Sequence, residues 1–207
     1  MYSPSFNQSA DRAVLIEAMR AYSFAILFGP QSGAEGATPL AATHLPLVVK
    51  DEGPHGLLEG HFALANQHWR TLAGRETLVV FSGPHSYVSP TLYADPLSVP
   101  TWNYIAVHAY GTLELVEDEA GKDAVLASLI QAHEPGFEEN WRAMPEEFRH
   151  SMLAEIVGFR IPIGRIEGKF KLSQNRDTAD RDKIWASSAV GSSDQQSLAD
   201  WMTRLGE

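Results

Sequence analysis

Residues 167–176 read Glu-Gly-Lys-Phe-Lys-Leu-Ser-Gln-Asn-Arg. Written as a β-strand, its side chains alternate between two faces. Lys169, Lys171, Ser173 and Asn175 then share one face, and Phe170 and Leu172 take the other. The second face can pack on a core. The first presents two ammonium groups, a hydroxyl and an amide, all able to donate hydrogen bonds. In a chain with 16 basic residues against 26 acidic ones, two lysines two positions apart are a local excess. Such a face suits an anionic ligand such as a phosphate. An ordinary amphipathic strand with a solvated side has the same pattern, so this segment alone leaves both readings open.

Outward from this strand, expected over Phe159 to Leu172, the pattern predicts helices at 177–189 and 193–205 on its C-terminal side. On its N-terminal side, helices are expected at 146–156, with Pro145 near the first position, and at 118–132. Trp102 to Val116 reads as a long strand rich in aromatic and β-branched residues. Further strands are expected at Phe24 to Phe28, 38–49, Leu57 to Phe62 and Glu76 to Phe81, the last extended by Ser86 to Ser89. Pro39 and Pro46 limit the ladder of the 38–49 strand, or place it on an edge. Asp51-Glu52-Gly53-Pro54 is a turn that makes a hairpin of its neighbours, and loops are expected through Gly36 and over Pro90 to Pro100. A helix spans 9–22, with Ser9 or Asp11 as cap, and Asn66 can cap a short one to Leu72. About six strands, mostly joined by short turns, predict a mainly β, α+β fold: an antiparallel barrel with peripheral helices.

With 207 residues, 44% hydrophobic and 20% charged, the chain suits one domain, with 177–207 as a helical extension. The absence of cysteine excludes disulfides, thiolate nucleophiles and iron–sulfur clusters. Without a basic start followed by an apolar core, or a run near ~20 apolar residues, a cytoplasmic protein is expected. A net charge of −10 disfavours direct DNA binding, because phosphate contacts supply most non-specific affinity.

Eight histidines invite a metal reading, yet His44, His61, His68, His85 and His108 are spread along the chain with no metalloprotease spacing, so no metal site is expected. No nucleophile elbow, dinucleotide fingerprint or P-loop is present. Three segments remain. Ala42-Thr43-His44-Leu45-Pro46 offers a hydroxyl and backbone groups freed near proline. Glu59 to Asn66 combines Gly60, which permits close backbone approach, with His61, Phe62, Ala63 and a helix start at Asn66. Pro100 to Tyr104 places the Asn103 amide between the rings of Trp102 and Tyr104. Taken singly, each is more simply read as structure: a strand end, a bulge and core packing in turn. A planar heteroaromatic phosphate would use all of them together with the lysine face, and flavin mononucleotide (FMN) fits that description.

In order, these segments resemble the PaiB family of FMN-binding negative transcriptional regulators. The resemblance runs from Met1-Tyr2-Ser3-Pro4 through Thr43-His44-Leu45-Pro46, Gly60-His61, Phe81-Ser82-Gly83-Pro84-His85 and Pro100-Thr101-Trp102-Asn103-Tyr104 to Lys169–Arg176. It implies an FMN-binding split β-barrel, usually a homodimer with two FMN sites between subunits. It would place Thr43, His44 and Leu45 under the flavin, and His61, Phe62, Ala63 and Asn66 at the phosphate end or helix start. Lys169, Lys171, Ser173, Gln174 and Asn175 would come from the late strand, with Trp102 and Asn103 beside the ring. Leu64 stands where the family is expected to carry arginine, and Gln67 where proline is common. The functions implied are an FMN-binding regulator acting through a protein partner without direct DNA readout, or an FMN-dependent oxidoreductase of the flavin reductase or pyridoxine phosphate oxidase kind. His44 and His61 would be the candidate proton donors.

Overall fold

A computed structural model describes residues 1–31 and 39–206. The loop expected through Gly36 falls, beyond Gln31, outside the described residues. In chain order the elements are β1 (Gln8–Ser9), α1 (Arg12–Ala21), β2 (Phe24–Pro30), β3 (Leu40–Pro46), β4 (Val48–Lys50), β5 (Leu57–Ala63), α2 (His68–Leu72), β6 (Glu76–Val88), β7 (Thr101–Thr112), β8 (Glu114–Val116), α3 (Glu119–His133), α4 (Glu138–Ala143), α5 (Glu146–Ala154), β9 (Ile156–Lys171), α6 (Thr178–Ala189) and α7 (Ser193–Leu205). Strand pairing follows β3-β2-β6-β7-β9-β5-β4, with β1 and β8 also paired to β9. The sheet is antiparallel and not closed, which is the helix-flanked α+β class expected from the sequence.

The residues divide into two compact units. Met1–Leu15, Ser82–Val107 and Glu167–Glu207 make the first; Ile16–Phe81 and His108–Ile166 make the second.

In the first unit the end of β9 behaves as its alternation dictates. Phe170 and Leu172 are fully buried, and the Phe170 ring lies 5.4 Å from that of Trp201 on α7. Burying each such side chain stabilises the fold by about 1.5–3 kcal/mol. β1 pairs with β9, Gln8 opposite Lys169. The helices are capped as their sequence specifies. The Asp177 carboxylate accepts from the Asp180 amide at 2.9 Å, and Ser192 with Gln195 forms a capping box. Gly206 ends α7 at φ 71°, a conformation that glycine adopts without strain.

In the second unit, β4, β5 and β9 form a continuous ladder, with Val48 opposite Glu59 and Glu59 opposite Arg160. Phe62 and Phe159 stack at 4.9 Å in the core. A Cβ on Gly60 would lie 2.7 Å from Leu47 and 3.0 Å from Phe159, so this position needs glycine for packing. On α3, Val125 and Leu129 cluster with Val116, and Val48 packs against them.

Several boundaries differ from expectation, each for a physical reason. Nine strands stand among the described residues where about six were expected. The 38–49 strand is broken at Leu47, because Pro46 has no amide to donate and the Leu47 amide bonds Ser23 O at 2.9 Å. The Trp102–Val116 strand is broken at Leu113, whose backbone bonds Gly74 and Arg75. Gly83-Pro84 does not interrupt β6. The buried positions shift from odd (Thr77, Val79, Phe81) to even (Pro84, Val88) across it. The short helix α4 was not expected. It has Glu138 and Glu139 in its first turn and Arg142 in its last, and Trp141 Nε1 donates to Asp123 at 2.8 Å.

Candidate functional site

The lysine face of β9 opens onto a cavity of about 380 Å³ within the first unit. That volume lies in the range of small-molecule sites. Lys169, Lys171, Ser173, Asn175 and Arg176 line it, together with Thr101 and Tyr104 of β7 and the aromatic residues Tyr2 and Tyr93. Strand alternation delivers the two lysines; a turn delivers the rest. Ser173 sits at φ 68°, the left-handed region, which costs a serine strain energy and ends the strand. Gln174 holds that bend: its Oε1 accepts from the Leu172 amide at 2.8 Å and its Nε2 donates to Phe170 O at 2.5 Å. Its side chain is therefore committed to the backbone of its own strand. The Ser173 hydroxyl donates to Asn103 Oδ1 at 3.0 Å, and both residues are buried.

The electrostatics of the cavity are one-sided. Lys169 is only 8% exposed; its Nζ donates to Tyr2 O at 3.1 Å and lies 5.1 Å from the centre of the Tyr104 ring. Lys171 donates to the Thr101 hydroxyl. Burial, and secondarily the Lys169 charge, push the Lys171 ammonium below its ordinary pKa. The Arg176 guanidinium stacks 3.8 Å from the Tyr93 ring. No acidic residue lines the cavity, and among the described residues none of these three cations has a carboxylate partner. Two residues that line the cavity, Asn7 and Tyr93, each carry a buried polar atom, Oδ1 and Oη, with no hydrogen-bond partner. A buried cation such as Lys169 without a carboxylate partner is costly in a free protein, and a phosphate supplies the missing anion. The residues present therefore fit a phosphate-bearing group.

Trp102, also of the first unit, is 52% exposed rather than lining this cavity. Its ring meets Tyr87 edge-on at 6.0 Å and His85 at 6.1 Å.

The second unit gathers a different set. On β3, opposite β2, Thr43 is half-buried, His44 exposed and Leu45 half-buried. The Thr43 hydroxyl lies 2.9 Å from His68 Nδ1 and accepts from Asn66 Nδ2 at 3.4 Å. Asn66 Oδ1 in turn accepts from the His68 amide at 3.1 Å, but the N-cap of α2 is Gln67, one residue after the expected cap, and its side chain makes no capping bond. A Cβ on Gly29 would lie 2.1 Å from Leu72, so only glycine lets α2 pack this closely on β2 and bring His68 under Thr43. His68 was not among the expected site residues. A lone histidine on a short helix carries no signal of its hydroxyl partner 25 residues away. Burial pushes His68 below its ordinary pKa, against an opposing effect of the Gly29 backbone. In a neutral His68 the tautomer sets the direction of this bond: Nδ1 accepts from the Thr43 hydroxyl when the proton is on Nε2 and donates to it otherwise.

His61 and Phe62 face opposite sides of β5. Phe62 is fully buried in the core, while Ala63 is exposed. His61 Nδ1 is buried with no hydrogen-bond partner, and burial pushes this imidazole below its ordinary pKa. Leu64 is 38% exposed, and its carbonyl accepts from Trp69 Nε1 at 3.3 Å. Gln67 Oε1 accepts from Arg70 Nε at 2.6 Å, and the Arg70 guanidinium stacks 4.4 Å from the Trp69 ring.

A pH dependence follows from His61 and His68. Their native pKa values lie below the ordinary 6.5 of the unfolded chain. Below about 6.5 the unfolded chain binds protons that the native chain refuses, so stability falls as pH falls through this window. The thermal midpoint is expected to drop between about pH 7.5 and 5.5, and His61→Gln with His68→Gln to flatten the drop. A flat wild-type profile would contradict this.

The family model described as "Putative FMN-binding domain" matches residues 1–165. Protease synthase and sporulation protein PAI 2 of Bacillus subtilis is 39% identical over 157 residues, covering 74% of this chain and 74% of that one. An uncharacterized protein of Emericella nidulans is 28% identical over 184 residues, covering 70% and 73%. The flavocytochrome Anf3 of Azotobacter vinelandii superposes with a TM-score of 0.60 at 17% identity, over 86% of this chain and 75% of that one. An FAD and heme binding protein of Mycobacterium smegmatis gives 0.61 at 18% identity, over 90% and 81%. At such identities these two structures show a shared fold. The family match and the Bacillus relative together show that the chain belongs to the PaiB-type FMN-binding family.

Proposed function

We propose that this chain binds FMN through the cavity of the first unit, with the phosphate held by Lys169, Lys171 and Arg176. The observation that carries this is the convergence of three cations, none with a carboxylate partner among the described residues, on one cavity without an acidic lining residue. Thr101 and Ser173 are placed to position Lys171 and the turn around the phosphate. Trp102 and Asn103 of the same unit are proposed as flavin contacts on the strength of the family motifs. Bound FMN supplies redox chemistry at its ring, and the protein supplies binding and orientation.

The proposed role is regulatory, exerted from the cytoplasm through a protein partner rather than by reading DNA. The net charge of −10 supports the indirect route. No helix among the described residues is long and apolar enough to cross a membrane. A homodimer is part of the proposal, supported by the exposed aromatic pair Tyr87 and Trp102, about half exposed each.

Purified protein mixed with FMN and freed of excess is expected to keep the visible absorption of one flavin per chain, and to sediment as a dimer. No retained flavin would overturn FMN binding, and a monomer with stoichiometric flavin would overturn the dimer. Steady NAD(P)H oxidation by the loaded protein would move the function to an oxidoreductase.

A further inference from the structure

The segment 94–100 joins the short turn after β6 to β7 and carries two apolar side chains in water, Leu97 at 91% exposed and Val99 at 70%. Single exposed apolar residues need no account, but Val99 and Pro100 line the cavity, so this pair stands on its rim. The segment is held at its ends. At one end the Ala94 amide donates to Asp180 Oδ1 of α6 at 2.8 Å, and Arg176 stacks on the preceding Tyr93. Asp180 is buried, so water does not compete for this bond. At the other end Thr101 opens β7 and accepts from Lys171. Between the ends, the hydrogen bond present among the described residues is a local turn, Leu97 N to Asp95 Oδ1 at 2.8 Å. Pro96 and Pro100 bring no amide donors and fix φ near −65°, which keeps the segment out of a ladder and makes it stiff.

We propose that residues 95–100 are a strap that closes over the filled cavity, hinged at the Ala94–Asp180 anchor, and that Val99 and Leu97 are buried only when the site is occupied. This deepens the FMN reading and rests on it. A ligand shifts a conformational equilibrium only through contacts that differ between the two states, and the apolar rim supplies them: it meets a bound flavin when closed and water when open. The strap therefore governs release more than capture. Its anchor comes from α6, beyond the residues 1–165 that the family model matches.

The chain has no cysteine, so Leu97→Cys carries its one thiol. The rate at which a water-soluble thiol reagent labels it is measured with and without FMN, beside Val190→Cys, an exposed position at the turn between α6 and α7. FMN is expected to slow labelling of Leu97→Cys about tenfold and to leave Val190→Cys unchanged. FMN that binds, by its fluorescence, without slowing Leu97→Cys would overturn the strap while the FMN site stands. Equal slowing at both positions would also overturn it, by showing that the whole unit tightens. A wild type that binds no FMN would overturn the site and the strap together. Release is then followed by flavin fluorescence after dilution. Val99→Ser is expected to speed it about tenfold, since the buried isopropyl group is lost only from the closed state. Asp180→Ala is expected to speed it likewise, and Asp180→Asn, which keeps an acceptor for Ala94, to hold the wild-type rate. Wild-type release from Val99→Ser would overturn the apolar closure, and wild-type release from Asp180→Ala would overturn the hinge.

Discussion

Lys169→Ala combined with Lys171→Ala is expected to abolish FMN retention while the protein still folds. Each ammonium would make a charge-assisted hydrogen bond to phosphate, and such bonds contribute about 1.5–3 kcal/mol each. Losing two corresponds to about 3–6 kcal/mol, or roughly a hundredfold to ten-thousandfold in affinity. The fold has little to lose at this face. Lys171 has a native pKa held below its ordinary value, first by burial and then by Lys169. A lysine whose native pKa is depressed costs stability wherever both states are protonated, which includes neutral pH. Removing that charge relieves the cost. The carbons lost from Lys169, which packs by Tyr104, act in the opposite direction. The ligand-free melting midpoint is therefore expected to stay close to the wild type. Calorimetry with FMN, beside a melting curve of the free protein, checks both statements. Wild-type FMN affinity in a folded double variant would refute the phosphate assignment.

That face was legible because a strand has a period of two. Phe170 and Leu172 had to be buried if Lys169 and Lys171 were to share a cavity, and they are. The same rule failed two residues later, where Ser173 turns into the left-handed region and the Gln174 side chain bonds its own strand. No propensity of serine announces that turn. The helices at 118–132, 177–189 and 193–205 were legible to within a residue or so at their starts, where Asp118, Asp177 and Ser192 make local capping bonds. Pro46 announced a weak ladder near Leu47, but the break at Leu113 was not legible, because the backbone partners that end that strand, Gly74 and Arg75, are distant in the chain. Asn7, Tyr93 and Arg176 escaped for the same reason. Three residues from three parts of the sequence share one cavity only once the chain has folded. His68 escaped because its meaning lies in a hydrogen bond to Thr43 rather than in its own neighbours.

The largest expected effect on stability lies with Glu59. Its carboxylate is 1% exposed, paired with Lys50 Nζ at 2.6 Å and accepting from Arg160 Nε at 2.8 Å. Register explains the geometry: Arg160 is directly opposite Glu59 on β9, and Lys50 is two residues from its partner on β4. One buried charge thus stitches three strands. Burial alone would raise the Glu59 pKa, but the two hydrogen-bonded cations outweigh it and hold the pKa below its ordinary 4.5. Its native pKa is depressed, so its contribution is present at neutral pH and lost as pH falls below about 4.5. Lys50→Met with Arg160→Met would leave the carboxylate buried and alone, at a cost of about 3–5 kcal/mol. For a chain of this length that is a fall in melting midpoint of about 6–20 °C. The sign of the pH dependence at this site would also reverse. An isolated buried carboxylate has a raised pKa, so the double variant would lose stability as pH rises from acid towards neutral. Adding Glu59→Gln removes the stranded charge and is expected to restore most of the loss, because a neutral cluster avoids the desolvation cost that the pair had to repay. Melting curves of the wild type, double and triple variants from about pH 4 to 7.5 measure all three effects. A double variant that melts within a few degrees of wild type at neutral pH, with the same acid dependence, would show that the Glu59 charge is solvated and holds nothing together.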